Sequence, residues 1–196
     1  SNLVTPHVSG GLRHRKIQPP EHLRSHVRYF WTLESDGSLE GEREFRIVAD
    51  GCPGLLFQPS EKGGFTVADT IPLDEFCLHG QSVQPAKLTF AGSQLSTVGV
   101  IFEPDAMESL FGMEASAWTD HCLSLTDVAE RGATAEALKR VRDVPDIDGR
   151  LELLTHFLHL KVADRSPEGD WVVRFGLSEI VRAHGQIQVS EVADRL

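Results

Sequence analysis

The chain has 196 residues, 40% hydrophobic and 24% charged, with 29 acidic against 19 basic side chains and a formal net charge of −10. That length supports a sizeable core, in one large domain or in one domain plus a smaller helical unit. The acidic balance argues against a chain that holds nucleic acid by itself, because phosphate affinity rests mainly on Lys and Arg.

No apolar run approaches the roughly 20 residues of a membrane-spanning helix, and no secretory signal is visible. The expected location is therefore the cytoplasm, with no membrane partner. Cys52, Cys77 and Cys122 are odd in number and widely scattered, which fits reduced thiols better than a disulfide framework. Ser1-Asn2 reads as the remnant of a trimmed tag.

In chain order, the first expected element is a short helix near Pro20 to His26, with Pro20 in its first turn. Strands follow. Arg28 to Leu33 is rich in aromatic and β-favouring residues, and Glu44 to Val48, Gly54 to Gln58, Phe65 to Ala68, Phe76 to His79, Leu88 to Ala91 and Thr97 to Phe102 are similar short runs. Turn signals separate them at Asp36-Gly37, Asp50-Gly51, Gly63-Gly64, Gln84-Pro85 and Gly92-Ser93. Such spacing predicts a barrel or sandwich.

The second half is helical. Pro104 to Gly112 has proline at its start and glycine at its end. Ser124 with Asp127 reads as the cap of another short helix. Ala133 to Val144 sets Leu138, Val141 and Val144 near one face. Asp148 to Lys161 is apolar around most of its circumference, which predicts burial in a bundle or at a subunit contact. After a polar break at Arg165 to Asp170, helical spacing resumes from Trp171 to His184. A turn follows, then a final helix capped by Ser190, with Glu191 suited to the helix dipole. Val192, Ala193 and Leu196 would face the preceding helix. This is the pattern of the first half of a helix-turn-helix, with the recognition helix expected beyond Leu196.

Candidate chemistry is sparse. Trp31, Phe57, Phe76, Phe90 and Phe102 fall on expected strands, and the inward-facing ones either line a cavity or fill a solid core. Arg28, His79 and Gln81 are the polar groups to place beside such a cavity. The candidate ligand-binding set is thus Arg28, Trp31, Phe57, His79 and Gln81. A metal site needs several imidazoles and a carboxylate converging on one ion. No His-x-His pair occurs, and His156 and His159 share a helical face without another evident ligand, so structural histidines and no metal or cofactor are expected. Cys52 lies in a turn-like Asp50-Gly51-Cys52-Pro53-Gly54 stretch with no activating base, so no catalytic residue is assigned. Gly10-Gly11 and Gly63-Gly64 lack the context of a phosphate loop.

Several segments together resemble one family. Ile47-Val48-Ala49-Asp50-Gly51-Cys52-Pro53-Gly54-Leu55-Leu56-Phe57 resembles the P-D-G-C-x-E-L-I-F stretch of AraC/XylS-type transcriptional regulators, with Ala49 for the usual proline and Gly54 for the usual acidic residue. His79-Gly80-Gln81 is similar to the family's H-G-Q. Val98-Gly99-Val100-Ile101-Phe102-Glu103-Pro104-Asp105-Ala106, with Leu110-Phe111-Gly112, resembles its V-G-V-x-F-x-P-x-A…L-F-G segment. Thr119-Asp120 and Leu125-Thr126-Asp127 follow in order, and Ile180 to Leu196 resembles the opening of the first of two helix-turn-helix units.

The resemblance implies an α+β fold: an N-terminal cupin-like β-barrel followed by an α-helical linker or bundle. The division is a sensing domain at 1–103, a linker and dimerisation region at 104–170, and the start of a DNA-binding domain at 171–196. The implied function is the sensing and dimerising portion of a transcriptional regulator. A small-molecule effector would bind in or near the barrel. DNA would be held by the C-terminal domain of the longer protein, weakly or not at all by these residues. Homodimerisation is expected, with Ser190, Val192, Ala193 and Leu196 as DNA-binding scaffold. Two other functions compete: a metal-dependent cupin-type enzyme, and a stand-alone interaction barrel without a ligand.

Overall fold

The computed structural model describes residues 11–37, 39–47, 52–59, 61, 63–67, 71–73, 75–81, 86–111, 119, 122–124 and 132–163. The expected helices after residue 170, with Ser190, Val192, Ala193 and Leu196, lie outside the described residues, as does Asp127.

The element order is β1 (Leu12–Ile17), a 3-10 turn (Glu21–Leu23), β2 (Val27–Ser35), β3 (Arg43–Ile47), β4 (Gly54–Phe57), β5 (Gly63–Val67), β6 (Ile71–Pro72), β7 (Phe76–His79), β8 (Ala86–Gly92), β9 (Ser96–Phe102), α1 (Ala106–Phe111), β10 (Cys122–Ser124), α2 (Gly132–Asp143) and α3 (Ile147–Ala163). The strands form two antiparallel sheets, ordered β1-β2-β9-β4-β7-β10 and β3-β8-β5-β6. The chain is thus a mixture of antiparallel sheets and helices. One expectation changes locally. Pro20 precedes the 3-10 turn in an extended conformation and does not sit inside a helix. Ser124 ends the edge strand β10, where its backbone pairs with Cys77, and the short helix expected after it lies outside the described residues.

The large sheet is covered on both faces, so its inner strands read as nearly continuous apolar runs. One face carries Phe30, Leu55, Phe57, Phe76, Leu78, Val98, Val100 and Phe102, each at most 1% exposed. These pack with Met107, Leu110 and Phe111 of α1, Leu138 and Val141 of α2, and Leu154, Phe157 and Leu158 of α3 in a single core. Each fully buried side chain of this kind contributes about 1.5–3 kcal/mol. The other face meets the small sheet, where Leu12 and Leu33 join Phe45, Phe65, Leu88, Phe90 and Leu95.

α3 begins at a cap, with Asp146 Oδ2 accepting the Gly149 N–H at 2.8 Å. One charged residue is buried on this helix. Arg150 donates from Nε to the Val144 carbonyl and from Nη1 to Ser96 Oγ, both at 2.8 Å. Its guanidinium carbon lies 5.3 Å from the Phe57 ring centroid. Burial lowers the Arg150 pKa from its ordinary value, opposed by Asp146 and Glu61. One thiol departs from expectation: Cys77 is disulfide-bonded, whereas Cys52 is free and buried.

Replacing Arg150 removes two charge-assisted hydrogen bonds, so Arg150→Leu is expected to lower stability by roughly 2–3 kcal/mol. Arg140→Ala, which removes only the exposed pair with Glu136, is expected to cost under about 0.5 kcal/mol. Urea unfolding of both variants checks the contrast, and equal losses would contradict the anchoring role of Arg150.

Candidate functional site

Register divides the candidate residues between the two faces of the large sheet. Directly opposed residues share a face. Trp31 lies opposite Lys16 on one side and Gly99 on the other, and Gly99 lies opposite Leu56. One step along, Tyr29, Ile101, Gly54 and His79 form the next row. These rows share the face of Leu33, which packs toward the small sheet.

Two glycines shape this inner face. A Cβ at Gly99 would overlap the Trp31 indole, and one at Gly54 would sit 2.5 Å from His79 Nε2. Each glycine therefore lets a ring from the neighbouring strand lie flat on the sheet. Trp31 and His79 are both half-buried. His79 has its Nδ1 3.2 Å from the Gly80 carbonyl.

The edge strand β1 adds polar groups that the sequence reading missed. The His14 ring lies 6.4 Å from Trp31, and Lys16 Nζ lies 4.0 Å from the centroid of Tyr29, a cation–π distance. Burial, and secondarily the Lys16 charge, hold the His14 pKa below its ordinary value of 6.5. Opposite, on the small sheet, Arg43 pairs in register with buried Phe90. Arg43 Nε is the one buried side-chain polar atom without a hydrogen-bond partner among the described residues. Aromatic rings and imidazoles on one face suit a small molecule with a flat apolar body and hydrogen-bonding groups.

The other candidates lie elsewhere. Phe57 points to the helical side, 4.5 Å from Phe76, because alternation sets it opposite Val98 rather than Gly99. Arg28 is exposed and pairs with Glu103 at 3.4 Å. Gln81 follows β7 and donates to Thr119 Oγ1 at 2.9 Å. Only Trp31 and His79 of the expected set share the inner face. The signal for His14 and Lys16 was their alternation with Arg13 and Arg15, weak because all four are polar.

The family model for a domain of unknown function, DUF6597, matches residues 15–124. The chain belongs to the DUF6597 family. The matched span begins in β1 and ends with β10, so the family signature covers both sheets and α1 and stops before α2. No curated protein and no solved structure matches the chain significantly. No described helix is long and apolar enough to cross a membrane.

Gly99→Ala must push the indole off the sheet. A loss of about 1–3 kcal/mol is expected, with a changed near-ultraviolet circular dichroism spectrum. Gly64→Ala, with open space around it, is the control, and a Gly99 variant as benign as the control would contradict the packing. Because His14 is held below its ordinary value, it should titrate below pH 6.5 by NMR. The stability gained by keeping it neutral is present above that value and is lost as the pH falls through its folded pKa. A His14 midpoint at or above 6.5 would contradict its partial burial.

Proposed function

We propose that this chain is the sensing part of a DNA-binding transcriptional regulator, with its two sheets as the walls of a cupin-like barrel. A small-molecule effector is taken against the inner face of the large sheet, at Trp31, Tyr29, His14 and His79. The reading draws on the ordered AraC/XylS-like segments, from Ile47–Phe57 through Val98–Ala106, and on their overlap with the DUF6597 match.

The observation that carries the sensing role is the position of β2. Trp31 lies on its inner face, while Phe30, the next residue, lies in the core shared with α3. Arg15, on the strand beside it, bonds both Thr32 Oγ1, at 3.1 Å, and Asp148 of α3, at 2.6 Å. A ligand that prefers one placement of Trp31 biases the strand, and through the opposite face it biases α3. α3 is the proposed linker. Leu160, 50% exposed, is the one exposed large hydrophobic side chain among the described residues, and it supports a dimer contact along this helix.

DNA contact belongs to the longer protein, since the chain itself is acidic. The test is a gel-shift of the natural full-length protein and of residues 1–196 on DNA from upstream of its own coding region. Retention by the full-length protein alone, weakening as salt rises, is the expected result. Retention by neither would overturn the DNA-binding half of the reading.

A further inference from the structure

A groove of about 490 Å3 lies between the β1–β2 connection and α3, on the opposite side of the large sheet from Trp31. Ile17 and Phe30, opposed in register on β1 and β2, form an apolar floor with Leu151 of α3. The rim carries Glu152, His156 and His159 of α3 and His22 of the 3-10 turn. An apolar floor with a few polar groups, at this volume, is the make-up of a small-molecule site.

The charges on the rim select the kind of molecule. Glu152 is the one carboxylate that lines the groove, and no lysine or arginine lines it. Among the described residues Glu152 has no ion-pair partner, whereas Glu34, Glu75 and Glu103 are paired. His22, His156 and His159 make ring contacts only: His22 stands perpendicular to His159 at 4.7 Å between centroids, and His156 lies 6.5 Å from His159. Each neutral imidazole therefore keeps a nitrogen free to accept a hydrogen bond. Glu152 and His156 are one helical turn apart, so their side chains are neighbours on the groove side of α3. A primary ammonium brings three N–H donors and no acceptor, which suits a carboxylate beside imidazole acceptors. An anionic ligand would meet Glu152 as a like charge, with no fixed cation to offset it.

We propose that the groove binds a small primary amine with an apolar body. Its ammonium is held by Glu152 beside the imidazoles of α3, and its body rests on Ile17, Phe30 and Leu151. The site is separate from the inner face proposed for the effector and does not depend on that reading. An amine bound there bridges α3 and the connection that leads into β2.

The test is calorimetric titration with phenethylamine, 3-phenylpropionate and 2-phenylethanol, which share one apolar body and differ in charge. It is run at about pH 8, where imidazoles are ordinarily neutral and alkylamines charged. The expected result is phenethylamine binding with a Kd on the order of 1 mM or tighter, with shifts of the His156 and His159 ring signals by NMR. The acid and the alcohol should bind about tenfold more weakly or not at all. Glu152→Gln should weaken the amine by about tenfold. Thr155→Phe, at a residue that lines the groove, should fill it and block binding. Glu108→Gln removes an exposed carboxylate on α1 and should change nothing, which separates the site from the general pull of an acidic chain on cations. Circular dichroism confirms that each variant is folded. Absence of phenethylamine binding at about 10 mM, tighter binding of 3-phenylpropionate, or binding unchanged in folded Glu152→Gln would overturn the proposal.

Discussion

The architecture depends on how one helix is anchored to one face of one sheet. α3 is held there by apolar burial and by Arg150, which joins three elements at once. Its hydrogen bonds reach Ser96 at the start of β9 and the carbonyl of Val144 after α2, and its guanidinium lies over Phe57 of β4. Apolar packing alone tolerates sliding, since Leu and Phe contacts have little directional preference. Two fixed hydrogen bonds from a planar group do not. Arg150 thereby sets the register of α3 against the sheet, and the cap at Asp146 sets where the helix begins.

That anchoring explains why the two faces of the large sheet differ. The helical face is a solid core of leucines, valines and phenylalanines at nearly zero exposure. The inner face is apolar toward one end, around Leu33, and mixed toward the other, around Trp31, Tyr29 and His79. Glycine makes the difference at the mixed end. With side chains at Gly99 and Gly54, the rings of Trp31 and His79 would have to stand away from the sheet. Half-buried aromatics that lie flat leave their faces available for contact, as a site for a planar ligand requires.

Much of this was legible in the sequence, and the failures have physical causes. The strands β2 to β5 and β7 to β9 and the helices α2 and α3 were found because period-two and period-3.6 patterns survive where one face is buried, whereas the two-residue β6 was missed. β1 was missed because an edge strand of alternating charged residues gives no apolar rhythm, and β10 because three residues carry none. Of the strand aromatics left either to line a cavity or to fill a core, Trp31 lies on the inner face and Phe57 in the helical core. Alternation says that neighbours point apart; it does not say which side holds the helices. Arg150 was lost inside a helix read as apolar around most of its circumference. The ring contact of His22 with His159 was invisible because the two meet only through the fold.

The same anchoring constrains how any signal crosses this structure. Interiors packed to this density deform little, so a displacement on one face of a strand is transmitted to the other. β2 has Trp31 on the inner face and Phe30 in the helical core, one residue apart. Its neighbour β1 carries Arg15, which bonds Thr32 of β2 and Asp148 of α3. A shift of β2 therefore reaches the first turn of α3 by a polar route and its middle, at Leu154 and Phe157, by an apolar one. Arg150 opposes translation of the helix start, so the lower-cost response is a pivot about that end. The pivot moves the far end of α3 most, near Leu160 and Ala163, where the helix is least buried. A linker that leads to a further domain would need its motion concentrated at that end.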